Sequence, residues 1–183
     1  DSTGNIQQII NKELGLQEGS IYDITTDKEG NAWLAMSNGM AKVEISSSIT
    51  FWDDRLGLDG IVQDLIVFNN TLYIATHQGF YYMDENGKIH QIGKYVQQGW
   101  DFLIFNEPDK KGERRLLAIG RENIFEIKNK DLQRVWKTKT ESPGFSLYQS
   151  KIRQEILYLG LSNGIIAINY KNGKFIKQTR VSE

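Results

Sequence analysis

Apolar residues along this chain come in short runs, each closed within a few positions by Asp, Asn, Gly or Lys. Several runs are apolar on both alternating sides, such as Trp33-Leu34-Ala35-Met36 and Leu157-Tyr158-Leu159. Runs this short, bounded by turn formers, predict strands rather than buried helix segments, and a run without alternation predicts a strand covered on both faces. The runs also repeat. Residues 33–44, 73–84, 117–128 and 158–169 align without a gap, with Trp33, Tyr73, Leu117 and Tyr158 in the first column and Gly39, Gly79, Asn123 and Gly164 in the seventh. That seventh column advances by 40, 44 and 41 residues. A period near forty built from short strands predicts β-propeller blades.

Each repeat extends into four strands. Before the common block lie the runs 21–26, 61–68, 101–106 and 145–150, followed by the turn-rich stretches 27–31, 69–71, 108–112 and 151–154. After it come 49–52, 89–92, 132–136 and 175–178. Gly39, Gly79 and Gly164 are expected at positive φ in the central turn, with Asn123 taking the same conformation as the best non-glycine substitute. Trp33, Tyr73 and Tyr158 are read as packing residues of the repeated core column, and Trp52 and Trp136 as covers of blade edges. The fold class predicted is all-β, a propeller of about four four-stranded antiparallel blades: 14–54, 55–97, 98–139 and 140–183. Residues 1–9 parallel 84–92 in register, so 1–13 reads as the outer strand of a preceding blade. The chain then looks like a piece of a longer array. Two open flanks would follow, and the expected way to cover them is self-association as a homodimer.

The first repeat carries Gly15-Leu16, an alternating strand, Asp27-Lys28-Glu29-Gly30-Asn31-Ala32-Trp33 and then Ser37-Asn38-Gly39-Met40. This closely resembles the two-component regulator propeller repeat. The second copy keeps Gly57-Leu58 and Thr76-His77-Gln78-Gly79-Phe80 but has Tyr73 in place of Trp; the fourth keeps Ser162-Asn163-Gly164-Ile165. The resemblance implies the periplasmic sensor region of a membrane-anchored hybrid histidine kinase, one that detects an oligosaccharide and passes the signal to a kinase outside this chain. It implies no enzyme activity and no cofactor for the chain itself. A protein-docking scaffold and a propeller carbohydrate-active enzyme, a lyase or hydrolase, are the alternatives.

Composition narrows the partners. The 183 residues hold 22 basic and 23 acidic side chains, a net charge of -1, which gives no basic surface of the kind that binds nucleic acid or anionic membrane. Cysteine is absent, which excludes disulfides, thiolate metal sites and a Cys nucleophile. No run approaches the roughly 18 apolar residues that span a bilayer. The opening on Asp1, without Met or a leader, looks like a matured or excised piece.

Few residues suggest chemistry. Asp27-Lys28-Glu29-Gly30-Asn31 resembles the start of a calcium loop but lacks the later bidentate carboxylate, so it reads as a tight turn. The histidines, His77 and His90, have no ligand-spaced companions, and no metal site is assigned. Ligand-binding candidates are His77 and Gln78 in the loop between second and third strands, Arg121 in the equivalent loop of the third repeat, and the aromatic Tyr95 and Trp100 leading into that repeat. Catalytic residues are not assigned, since glycosidase-type paired carboxylates do not stand out.

Overall fold

The computed structural model describes residues 9–12, 16, 20–44, 52–93, 98–140 and 142–182. The outer strand proposed for the first repeat (49–52), most of the preceding-blade strand (1–9) and Tyr95 lie outside them, although Trp52 itself is described and is not in a strand. The chain divides into two compact units, residues 1–55 and 56–183.

Unit 1 contains one antiparallel sheet, ordered β1 (Ile21–Thr26), β2 (Ala32–Met36), β3 (Met40–Val43). Its hairpin from β1 to β2 is built by Asp27. That carboxylate accepts the Glu29 and Asn31 backbone N–H groups, the Asn31 amide and the Trp33 indole N–H. The bond from the Asn31 side chain, helped by Trp33 and the Asn31 backbone, outweighs the opposing effect of burial and holds Asp27 down to a pKa of about 2. Both oxygens are thus spent on the turn. Trp33 departs from its expected packing role: it is 37% exposed. Strand β2 alternates strictly, with Ala32, Leu34 and Met36 buried and Trp33 and Ala35 facing out. The ring therefore lies on the outer face, under the Lys42 ammonium at 5.8 Å.

Unit 2 contains three four-stranded antiparallel blades. Blade 2 is β4 (Val62–Phe68), β5 (Thr71–Thr76), β6 (Gly79–Met83), β7 (Ile89–Ile92); blade 3 is β8 (Asp101–Asn106), β9 (Arg114–Ile119), β10 (Asn123–Lys128), β11 (Asp131–Lys137). Blade 4 is β12 (Gly144–Gln149), β13 (Ile156–Leu161), β14 (Gly164–Lys171), β15 (Lys174–Ser182). Among the described residues there is no α-helix; Asp54–Leu56 form a short 3-10 turn. Two-residue hairpins at Asn69-Asn70, Asn129-Lys130 and Asn172-Gly173 place both residues at positive φ, the primed geometry that matches strand twist.

The glycine column behaves differently from its expectation at one position. Gly39 has φ 89°, while Gly79 and Gly164 are stretched to 151° and 138°. Asn123 is not at positive φ. Gly39 sits in the turn just before β3, whereas Gly79, Asn123 and Gly164 are the first residues of the third strands, where Asn123, with a Cβ, meets the same pairing from the ordinary side of φ.

Two apolar interfaces hold the blades of unit 2. Tyr73, Ala75 and Phe80 of blade 2 meet Phe102, Leu116 and Phe125 of blade 3. Phe105, Leu117 and Ile119 of blade 3 meet Leu157, Leu159, Ile166 and Tyr170 of blade 4. The central strands β5 and β9 are buried on both faces over their second halves, as their unbroken apolar runs require. Tyr158 is half-buried and stacks on Tyr148 with centroids 6.5 Å apart.

Polar side chains tie the inner strands together. Asp64 on β4 accepts the Phe102 N–H of β8 at 2.9 Å, and Asp101 on β8 accepts the Leu147 N–H of β12 at 2.7 Å. Gln149 accepts the Asn106 N–H at 2.8 Å and donates to the Asn106 and Gln154 carbonyls at 2.7 and 2.8 Å. Burial, with Asp64 beside it, raises Asp101 to a pKa of about 6, against the lowering effect of its bond from Leu147. A raised folded-state carboxyl binds its proton more tightly than the unfolded chain does. Its favourable contribution is therefore complete below pH ~3.8 and lost as pH rises through ~6. Asp101→Asn should flatten this dependence and stabilise the protein at pH 7 by roughly 1 kcal/mol once solvent screening is discounted. Urea unfolding at pH 4.5 and 7.5 checks it: an unchanged pH slope in the variant contradicts the assignment.

Candidate functional site

In four-stranded antiparallel blades the loops after the second and fourth strands share one edge. On that edge of unit 2 lie β5–β6 (His77-Gln78), β9–β10 (Gly120 to Glu122), and the connections from β7 to β8 and from β11 to β12. Backbone bonds stitch them together. Gly99 N–H donates to Thr76 C=O at 2.8 Å, Gly144 N–H to Arg121 C=O at 3.0 Å, and Thr138 N–H to Glu122 C=O at 2.8 Å. Gly99 is thereby tied to the end of β5, and the segment after β11 to the β9–β10 loop, at Thr138 and Gly144.

His77 is half-buried, and its Nδ1 accepts the Ile61 N–H at 2.9 Å. With Nδ1 an acceptor, the neutral ring carries its proton on Nε2, which faces the Gln78 amide at 3.4 Å. Gln78 is exposed and lies against Gly60, where an added Cβ would stand 2.8 Å from Gln78 Cγ. Gly60 at φ 89° permits this close approach. Arg121 points its exposed side chain from the neighbouring loop, while its carbonyl is consumed by Gly144.

Trp100 is half-buried, edge-on to Phe145 at 4.8 Å, and packs on the interface between blades 3 and 4. Its indole N–H is buried without a hydrogen-bond partner among the described residues. Tyr95 lies outside the described residues. Among the described residues no hydrogen bond or ring contact joins the His77-Gln78 pair to Trp100 or Arg121. The edge thus offers an imidazole and an amide at blade 2 and a guanidinium at blade 3, all hydrogen-bonding groups and none of them paired as nucleophile and base. His90 is occupied elsewhere: its Nε2 meets Asp84 at 2.8 Å and its ring stacks on Tyr82 at 5.1 Å. That contact lowers the Asp84 pKa.

Sequence reasoning missed two features. Asp64 and Asp101 hold equivalent register positions on the first strands of their blades, opposite Ala75 and Ile119, each one residue before an apolar position, so the repeat register itself carried that signal. The other is a charged cluster of Glu107, Arg115, Glu126 and Tyr170, in which Tyr170 comes from a different blade. Partners 63 positions apart leave no local signal.

No protein-family model matches the chain, and no curated protein matches it. Solved structures do. The extracellular domain of the proposed hybrid two-component system BT3049 from B. thetaiotaomicron superposes with a TM-score of 0.60 at 18% identity, covering 95% of this chain and 24% of that one. The corresponding domain of BT4673 from the same organism gives 0.58 at 16% identity, covering 91% of this chain and 22% of that one. A second structure of the BT4673 domain, described there as a one-component system, gives the same TM-score. The likeness establishes the fold. The chain spans about a quarter of the length of these structures, 22–24%.

Proposed function

We propose that this chain is part of the extracytoplasmic sensing region of a hybrid two-component system, with kinase and receiver modules carried elsewhere in the protein. The observation that supports this most is the superposition of 91–95% of the chain on extracellular domains of such systems. The resemblance of residues 14–40 to the two-component regulator propeller repeat points the same way. The compartment is then the periplasm, and the protein is anchored in the inner membrane by a segment outside this chain. No described helix is long and apolar enough to cross a membrane.

The ligand class we assign is an oligosaccharide, held on the edge that carries His77, Gln78 and Arg121. An exposed amide and guanidinium beside a half-buried imidazole suit sugar hydroxyls, which both donate and accept. The chain acts as a receptor rather than a catalyst: ligand shifts an equilibrium of the whole protein by its differential affinity for two states. Titrating the protein with defined oligosaccharides, while following both amide chemical shifts and product release, tests this. Binding that is weakened about tenfold by Arg121→Ala, with the oligosaccharide recovered intact, is the expected result. Cleavage of the oligosaccharide, with turnover lost on substituting a residue of this edge, would replace receptor by enzyme.

A further inference from the structure

A cavity of about 510 Å³ opens between blades 3 and 4 on the opposite edge, bordered by the β8–β9 loop, the end of β10 and the β14–β15 turn. That volume lies within the range of small-molecule sites. Its charged wall is formed by Glu107, Arg115, Glu126 and Tyr170. Arg115 donates to Glu126 at 2.7 Å, to Glu107 at 3.3 Å and to the Tyr170 hydroxyl at 2.9 Å, and that hydroxyl donates to Glu107 Oε2 at 2.5 Å. Burial works against the guanidinium charge, but Glu126, then Tyr170 and Glu107, outweigh it and raise the Arg115 pKa.

Two carboxylates thus share one guanidinium, leaving one negative charge uncompensated. The Glu107 side chain is only 4% exposed, and its Oε1 has no hydrogen-bond partner. A buried carboxylate oxygen without a donor is costly, and only an N–H or O–H can relieve it. Nearer the mouth, Lys110 is taken by Glu113 at 3.0 Å and Asp109 accepts the Gly173 N–H. Four acids against three bases line the cavity, so it favours a cation. Tyr170, its one aromatic residue, is 3% exposed and presents no ring face for stacking a sugar. The described acids are not grouped by threes as a metal ion would need.

We propose that this cavity binds a small organic ligand through a primary ammonium group, which donates to Glu107 and is balanced by the charge that Glu107 and Glu126 hold in excess of Arg115. An ammonium supplies three donors and one positive charge, the two quantities the cavity lacks. The site is distinct from the loop edge assigned to oligosaccharide and does not depend on that reading.

The test uses the full chain with 1,4-diaminobutane and glucosamine as probes, and 1,4-butanediol and glucose as their uncharged counterparts. Expected are saturable shifts of the Asn172 and Gly173 amide resonances with an amine, weakened by salt, and none with the uncharged pair. Which amine binds more tightly tells a free diamine from an amino sugar. Glu107→Gln should weaken binding about tenfold or more. Lys128→Glu, an exposed change at the mouth that spares the fold, should tighten it by about threefold, and decides the matter if Glu107→Gln does not fold. No shift from either amine at ~10 mM, equal shifts from the diol or glucose, or an affinity indifferent to Lys128→Glu would each overturn the proposal.

Discussion

Arg115→Met should destabilise unit 2 by about 3–5 kcal/mol, because it strands two largely buried carboxylates rather than merely deleting a contact. Glu107 and Glu126 are 4% and 18% exposed at the side chain, and Arg115 bonds both. The Tyr170 hydroxyl would keep its bond to Glu107 but lose the N–H that Arg115 donates to it. A methionine fills most of the volume, so cavity formation adds little and the loss reads as electrostatic. Adding Glu107→Gln and Glu126→Gln to Arg115→Met should recover most of the loss, since a buried ion cluster replaced as a whole is often close to neutral. Urea unfolding followed by tryptophan fluorescence gives both values. A single substitution costing under about 1 kcal/mol would mean that the cluster is hydrated like a surface salt bridge.

What the sequence made legible was local. Asp27, Gly30 and Asn31 announce a hairpin because each performs its task within four positions, the Asp27 carboxylate capping the N–H groups that follow it. Asn69-Asn70 does the same by tolerating positive φ at both positions. Strand runs such as Leu116 to Ile119 show no alternation because a blade lies on each side of them. The repeat spacing therefore carried the architecture. Trp33 shows where pattern fails: a column that is aromatic in three of four aligned copies hides which face each one takes, and at β2 the buried face belongs to Leu34. Trp100 shows the converse, a loop aromatic whose ring is claimed by Phe145 from the next blade. The candidate edge was legible only as loop positions. Its stitching, through carbonyls of Thr76, Arg121 and Glu122, is made by backbone atoms that every residue type possesses.

The apolar seam between blades 3 and 4 should be the other large contributor. Phe105 on β8 is fully buried, with its ring 5.1 Å from Tyr170 and 5.6 Å from Phe175, both on blade 4. Tyr170 and Phe175 also meet edge-on at 5.0 Å, so three rings close a triangle across the seam. Phe105→Ala removes one corner, and the two others are fixed on opposite sides of a tight Asn172-Gly173 turn, where they cannot collapse inward. A rigid surround leaves the cavity open, which places the cost at the upper end of the range, about 3–5 kcal/mol. Phe105→Leu keeps more of the volume and should cost about half as much. The same substitution loosens the Tyr170 ring and with it the hydroxyl that holds Glu107, so the seam and the charged cluster should respond together. A double-mutant cycle of Phe105→Ala with Arg115→Met measures that link: the combined loss should fall short of the sum by about 1 kcal/mol or more. Strict additivity would show that ring packing and charge cluster act separately, even though both run through Tyr170.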